Sequence, residues 1–120
     1  MKVSRFIVNV TSEDPDRLAA FYRDVVELTP DPEMGGRAFD ILPNTTLAFD
    51  GHSDTAGPTK EPQRVLIDLF VDDIAAEEAR LKSKGVTFIR EQGKEEWGGL
   101  ISTFLDPDGN YVQLVHYQPS

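Results

Sequence analysis

Residues 97–110 read WGGLISTFLDPDGN, and this stretch is the most informative part of the chain. After two glycines, the apolar run Leu100–Leu105 predicts a strand. It leads into Asp106–Asn110, where Asp, Gly and Asn tolerate the backbone angles of a tight turn. A further predicted strand, Tyr111–Tyr117, follows. The Asp108-Gly109 pair between the two strands therefore predicts a hairpin.

The first half of the chain repeats this order of elements in a weaker form. Gly35-Gly36 precedes predicted strands at 36–42 and 45–49, as Gly98-Gly99 precedes the strands of the second half. Farther upstream, residues 4–10 and 65–71 both alternate and lead into an acidic stretch. Two halves with the same order of elements indicate that one unit, a strand, a helix and about three strands, has been duplicated.

Each half has one predicted helix, and each helix follows an aspartate. Asp14 is the expected N-cap of the first, with Pro15 at its first position. The apolar residues at helical spacing are Leu18, Phe21, Tyr22 and Val25. Asp72 or Asp73 is expected to cap the second helix, from Ile74 to about Lys84, before Gly85 at the C′ position. Its weaker apolar face consists of Ile74, Ala75, Ala79 and Leu81, and a strand is expected over Val86–Ile89.

The length of 120 residues is that of one domain. We expect a single domain over 1–120, with module one at about 1–51, a linker at about 52–62 and module two at about 63–120. There is no cysteine, which excludes disulfides and thiolate sites and is typical of a reducing compartment. With no secretory leader pattern and no apolar run near 20 residues, we expect a cytoplasmic protein without a membrane span.

The net charge of −9, from 21 acidic and 12 basic residues, disfavours some partners. Binding to nucleic acid or to an anionic membrane needs clustered Lys and Arg, so neither partner is expected. An acidic field favours a cationic ligand, although such a charge is more often explained by solubility.

The order and spacing of these motifs resemble those of the vicinal-oxygen-chelate superfamily, the group of glyoxalases, bleomycin-resistance proteins and extradiol dioxygenases. The resemblance is carried by WGG at 97–99 before Asp106–Asn110, by LAAFYRDV at 18–25, and by VDDI at 71–74. It implies an α+β fold in which two βαβββ modules form a curved mixed sheet around a cavity, with the helices on the convex face. It also implies a homodimer.

Metal-dependent members of that superfamily carry His or Glu on the opening strand of each half and Glu on the last strand. The resemblance places these positions at Arg5, Leu66 and Gln113. Arginine stays protonated and has no lone pair, leucine has no donor atom, and a glutamine carbonyl is a weak, uncharged ligand. We therefore expect no metal and no cofactor there. His52, in the linker, and His116, on the opposite face of its strand from Gln113, do not restore the site.

Alternation of side chains along strands then predicts the lining of the cavity. If Arg5, Leu66 and Gln113 point inward, so do Ile7, Asn9, Asp68, Phe70, Tyr111 and Val115. The helix-facing set is then entirely apolar: Phe6, Val8, Val10, Val65, Ile67, Leu69, Val71, Val112 and Leu114. Trp97 is a further candidate for stacking on a flat ligand. The predicted ligand-binding residues are Arg5, Asn9, Leu66, Asp68, Phe70, Trp97, Tyr111 and Gln113, and no catalytic residue is assigned.

Asp68 is unusual because it interrupts the apolar run at 65–71. A buried carboxylate is costly unless it is paired. The more common explanation is a structural ion pair with Arg5 or another arginine, and the other is a ligand-facing acid with a shifted pKa. Arg5 has the same two explanations. Asn9 and Gln113 are candidates to hydrogen-bond each other.

The missing metal ligands and the acidic charge favour a metal-free protein that binds or sequesters a small molecule, cationic or aromatic. One alternative is a glyoxalase-like lyase, isomerase or dioxygenase with a non-standard or metal-free site, in which Asp68 acts as base and Arg5 as electrophile. The other is a dimeric structural module with a vestigial pocket.

Overall fold

The structure, a computed structural model, describes residues 1–117. It consists of two compact units, Met1–Gly57 and the residues from Pro58 onward. Each unit has one four-stranded mixed sheet and one α-helix. The α+β class and the two βαβββ modules are confirmed, and the strands are arranged in two separate open sheets. No helix in the described part of the chain is long and apolar enough to cross a membrane.

The first unit is built from four strands and a helix that ends in a π-helical turn. Its elements are β1 (Phe6–Thr11), α1 (Pro15–Phe21), the π-helical turn Tyr22–Val26, β2 (Thr29–Pro30), β3 (Ala38–Leu42) and β4 (Thr45–Asp50). The sheet order is β1-β4-β3-β2, and β1 runs parallel to β4. As predicted, Asp14 caps α1, because its side chain accepts a hydrogen bond from the backbone N–H of Arg17.

The second unit repeats this topology. After a 3₁₀ turn at Pro62–Arg64, its elements are β5 (Ile67–Phe70), α2 (Ile74–Ser83), β6 (Phe88–Lys94), β7 (Leu100–Leu105) and β8 (Tyr111–His116). The sheet order is β5-β8-β7-β6, and β5 runs parallel to β8. Asp73 is the N-cap of α2, and Gly85 takes the left-handed conformation expected after the helix, with φ of 85°. The predicted internal repeat is thus present in the strand order.

The core of the first unit differs from the predicted helix face in one respect. Tyr22 is fully buried and stacks on Phe49 of β4, with ring centroids 4.7 Å apart. Val26, rather than Val25, is the next buried residue. The widened π turn explains this, because it moves the inward-facing position one residue farther along the chain. Glu27 then ends the helix in the left-handed conformation, with φ of 68°.

The core of the second unit forms between α2 and its sheet, from Ile74, Leu81, Phe104, Val112 and Leu114. The predicted face of α2 is wrong at Ala75 and Ala79, which are exposed. The prediction that helices cover Phe6 and Val65 is also wrong, because both side chains are exposed. Phe6 begins β1 and Val65 lies before β5, so both are at strand ends where the sheet is not covered.

Candidate functional site

A polar row crosses the sheet of the second unit. Asp68 on β5 lies opposite Gln113 on β8, which lies opposite Thr103 on β7. Val112 and Leu114 alternate with Gln113 and are buried in the core with α2, so this row is on the other face. We call the face that carries Asp68, Phe70, Thr103 and Gln113 the Asp68 face.

Asp68 has no hydrogen-bond or ion-pair partner within residues 58–117. The amide nitrogen of Gln113 donates to Thr103 Oγ1 at 3.3 Å instead. Arg90, which lies opposite Thr103 on β6, pairs with Glu95 at 2.5 Å. Partial burial without a compensating cation raises the pKa of Asp68 above its ordinary value. Within residues 58–117, no arginine forms the structural ion pair that the sequence favoured for Asp68.

Exposed aromatic residues continue from Asp68 along the same unit. Phe70, two residues on and on the same face, is 71% exposed. Trp97 and Tyr117 are 50% and 47% exposed, and their rings meet edge to face with centroids 5.4 Å apart. The parallel pairing of β5 and β8 continues past Phe70, because the Val71 N–H donates to the Val115 carbonyl at 2.9 Å. We call Phe70, Tyr117 and Trp97 the aromatic strip.

The glycine pair before β7 explains where Trp97 lies. A β-carbon on Gly99 would come within 1.8 Å of the indole Cζ3 atom, so the ring occupies the space of the missing side chain. Gly98 has φ of 96°, which favours glycine. The two glycines of the WGG motif therefore allow the indole ring of Trp97 to pack against the backbone.

The remaining predicted residues of this unit are close to the same row. Leu66 lies just before β5 and is exposed, and Tyr111 begins β8, partly exposed, opposite Leu105. In the first unit, Asn9 is exposed on β1 opposite Ala48.

Arg5 lies just before β1 and is held by its own unit. Its guanidinium donates to Thr46 Oγ1 at 2.6 Å and to Asp31 Oδ2 at 3.0 Å, and Asp40 is 3.9 Å away. Asp31 is only 9% exposed and also accepts backbone N–H bonds from Glu33 and Met34. Of the two explanations for Arg5, these contacts support a structural partner within the fold.

The two carboxyl groups beside Arg5 titrate in opposite directions. The Glu33 N–H, a hydrogen bond from Asp40 and the Arg5 guanidinium hold the pKa of Asp31 at about 2. The neighbouring Asp31 and partial burial raise the pKa of Asp40. Asp31 is therefore the carboxylate partner of Arg5, and Asp40 holds its proton more strongly than an isolated aspartate does.

Two clefts are present in the first unit. One, of about 460 Å³, contains the Arg5 cluster and is lined by Arg5, Thr29, Asp31, Asp40, Ile41, Leu42, Pro43 and Asn44. The other, of about 490 Å³, lies beside α1 and includes Arg23 and Arg37. Both of these arginines are already paired, Arg23 with Asp24 at 3.0 Å and Arg37 with Asp16 at 2.8 Å. The second cleft therefore has no free charge with which to select a ligand.

The three positions at which the resemblance places metal ligands are poorly suited to bind a metal ion. Arg5 is a cation bonded to Thr46 and Asp31, Leu66 is apolar, and the amide of Gln113 is turned to Thr103. Within residues 1–117, no group of three or more His, Cys, Asp or Glu side chains could hold a metal ion. His52 Nδ1 accepts from the Asp54 N–H, and His116 Nδ1 is 3.0 Å from the Val71 carbonyl.

The sequence analysis missed several residues near these candidates: Asp31, Asp40, Thr46 and Tyr117. The internal repeat could have indicated Thr46, because it lies opposite Ile7 as Gln113 lies opposite Asp68. Tyr117 could have been identified because it follows Gln113 by four residues, and side chains an even number of residues apart share one face of a strand. Asp31 lies in a loop and had no sequence signal, since its role depends on two backbone N–H groups and on Arg5.

The chain belongs to the Glyoxalase/Bleomycin resistance protein/Dioxygenase superfamily, because the sequence profile of that superfamily matches residues 6–114. This confirms the resemblance seen in the motifs. None of the curated proteins matches the chain.

Solved structures of similar proteins cover almost the whole chain. A superfamily member from Sphaerobacter thermophilus DSM 20745 is 24% identical, with a TM-score of 0.73 and coverage of 98% of this chain and 99% of that one. TnmS3, an antibiotic-binding protein from Streptomyces sp. CB03234, is 25% identical, with a TM-score of 0.72 and coverage of 98% and 99%. Lactoylglutathione lyase from Agrobacterium tumefaciens is 16% identical, with a TM-score of 0.70 and coverage of 97% and 95%. The likenesses to the Sphaerobacter and Agrobacterium proteins, both under 25% identical, concern the fold alone.

Proposed function

We propose that this chain is a small-molecule-binding member of its superfamily that works without a metal ion. The observation that carries the proposal is the state of Arg5. At the position where the family resemblance places a metal ligand, this chain has a guanidinium that is ion-paired to Asp31 and hydrogen-bonded to Thr46. A cation held in this way repels a metal ion and cannot donate an electron pair to it.

Two observations support binding as the role. The Asp68 face and the aromatic strip expose a carboxylate and three aromatic rings, and binding sites combine apolar surface with a few polar groups. One structural relative, TnmS3, is described as an antibiotic-binding protein. The proposed metal-free enzyme with Arg5 as electrophile has less support, because Arg5 is already engaged by its own unit.

Two measurements test this proposal. Elemental analysis of protein purified without chelator should find far less than one transition metal per chain, and a stoichiometric, tightly held metal would contradict metal independence. Native mass spectrometry and a thermal-shift screen of a broad ligand library should find compounds that raise Tm, because ligand binding stabilises the folded state by mass action. A flat response and no co-purified molecule would instead favour the vestigial module.

We also propose a homodimer. Several large apolar side chains are exposed in both units, among them Phe6, Leu42 and Val65. Exposed apolar surface of this kind is commonly covered by a second copy, and two-fold dimers are the most common assembly. Light scattering at micromolar concentration should give twice the mass of one chain, and a monomeric mass would contradict the dimer.

A further inference from the structure

Within residues 58–117, the Asp68 carboxylate has no cationic partner. Its cross-strand neighbour Gln113 is neutral and donates to Thr103. The nearest basic residue in the pairing of β6, β7 and β8 is Arg90, and its guanidinium is taken by Glu95. An unpaired carboxylate that has lost part of its hydration gains most from a positive group placed beside it.

The aromatic strip begins beside this carboxylate and leads away from it. Phe70 lies about 7 Å from Asp68 along β5, given the rise of two strand residues. Tyr117 follows diagonally on the neighbouring chain segment, about 8 Å farther by strand spacing and rise. Its ring meets that of Trp97, with the centroids 5.4 Å apart. The strip is therefore long enough for a flat molecule of two or three rings.

The exposure of these rings indicates that the strip is not simply core. Phe70 is the most exposed aromatic residue of the three, at 71%. The Trp97 ring packs against the backbone at Gly99, where no side chain intervenes, and half of the residue stays exposed. A side chain that already packs on the protein loses less conformational entropy when a ligand binds to it.

We propose that Asp68 and the aromatic strip form a binding site for an organic cation with a flat aromatic body, the charged end lying at Asp68. This inference rests on the proposed small-molecule-binding function and names the ligand class. The carboxylate attracts the charge directly, aromatic faces attract cations through their quadrupoles, and the net charge of −9 raises the local concentration of cations. A neutral molecule of the same shape gains only the apolar contacts.

A matched pair of probes tests the inference. One is a biphenylmethanol with a trimethylammonium group at its far end, and the other is the same molecule with a tert-butyl group, which has the same shape and no charge. Both are titrated by calorimetry and by the fluorescence of Trp97, the only tryptophan in the chain. The wild-type protein should bind the cation about tenfold more tightly than the neutral probe, as expected for a carboxylate and aromatic rings at a partly exposed site.

Substitutions test whether the preference for the cationic probe comes from Asp68. Asp68→Asn should abolish the preference for the cation and leave the neutral probe unchanged, whereas Asp68→Glu, which keeps the carboxylate, should retain it. Asp54→Asn is the matched control, because it removes one exposed carboxylate elsewhere and makes the net charge less negative by the same amount. Phe70→Leu should weaken both probes, because it removes an aromatic contact that the two share.

The outcomes separate this inference from the broader function. Equal affinity for the two probes, or a preference that survives Asp68→Asn, overturns the cation site and leaves small-molecule binding intact. If neither probe binds, for example because a second copy covers the strip, the cation site is also overturned. The broader function then stands or falls on the separate ligand screen.

Discussion

The indole ring of Trp97 lies over the α-carbon of Gly99, in the space that a side chain at position 99 would need. A β-carbon there would come within 1.8 Å of the ring. No such contact exists at Gly36, the corresponding glycine of the first unit, where an added β-carbon would meet no other side chain or backbone atom within 4 Å. The two halves therefore keep the same glycine pair for different reasons.

Gly99→Ala should displace the indole ring. The added methyl group cannot share space with Trp97, so we expect unfolding free energy to fall by about 1–3 kcal/mol, the usual cost of overpacking. The emission of Trp97 should also shift to longer wavelength as the ring becomes more exposed to water. Gly36→Ala is the control and should leave both measurements nearly unchanged. Identical behaviour of the two variants would contradict the packing of Trp97 on Gly99.

Asp68→Asn should stabilise the protein at neutral pH. The pKa of Asp68 is raised by burial, so the folded state holds this proton more tightly than the unfolded state does. The associated stability is present at acid pH and is lost as pH rises through the folded-state pKa, above the ordinary 3.8. Because the side chain is still well exposed, we expect less than about 1 kcal/mol.

Urea denaturation across pH measures this effect. The variant and the wild type should converge at acid pH and separate as pH rises, with the variant more stable. Asp54→Asn should not reproduce that pattern. A large loss of stability on Asp68→Asn, at any pH, would restore the ion pair that the sequence favoured.

Asp31→Asn and Asp40→Asn should differ although they are the same chemical change in one cluster. The pKa of Asp31, about 2, lies below its ordinary value of 3.8. Its stabilising contribution is therefore complete above that ordinary value and is lost as pH falls toward 2. Asp40 has a raised pKa, so its contribution is present in acid and is lost as pH rises.

Thermal denaturation between pH 2 and pH 7 distinguishes the two. Asp31→Asn should lower Tm at neutral pH and flatten the acid part of the profile, because Arg5 loses its carboxylate partner. Asp40→Asn should not lower Tm at neutral pH, since its amide can still donate to Asp31. An equal decrease in Tm for both substitutions would contradict this difference and show that the two carboxyl groups share the negative charge that pairs with Arg5.

Ser102→Ala should raise stability. Ser102 is fully buried in the second unit, and within residues 1–117 its hydroxyl has no hydrogen-bond partner. Removing a buried, unsatisfied hydroxyl should increase the unfolding free energy by about 1 kcal/mol. Ser12→Ala is the matched control, because the equally buried Ser12 hydroxyl accepts a hydrogen bond from the Asp14 N–H. That variant should lose stability, and a loss at Ser102 as well would show that its hydroxyl is bonded in solution.

Local patterns in the sequence were sufficient to predict the helices and strands and their order along the chain. Asp14, Asp73 and Gly85 determine where helices begin and end through hydrogen bonds and backbone angles that involve only neighbouring residues. Leu100–Leu105 was predicted with its observed bounds, because alternation and a following turn are both local signals. The family resemblance and the duplication followed from the same signals, read in order.

Only the tertiary structure decided which side chains are paired. Arg5 meets Asp31 and Thr46, which are 26 and 41 residues away in sequence, because strand register and a loop bring them together. Alternation predicts that Asp68 and Gln113 share a face, but only the structure shows that, within residues 58–117, Gln113 and Arg90 bond to other groups and leave Asp68 unpaired. Likewise, the helix propensities of the residues did not indicate the π turn, which places Val26 rather than Val25 in the core. Strand alternation is a property of the backbone, whereas pairing depends on distant groups competing for the same hydrogen bonds.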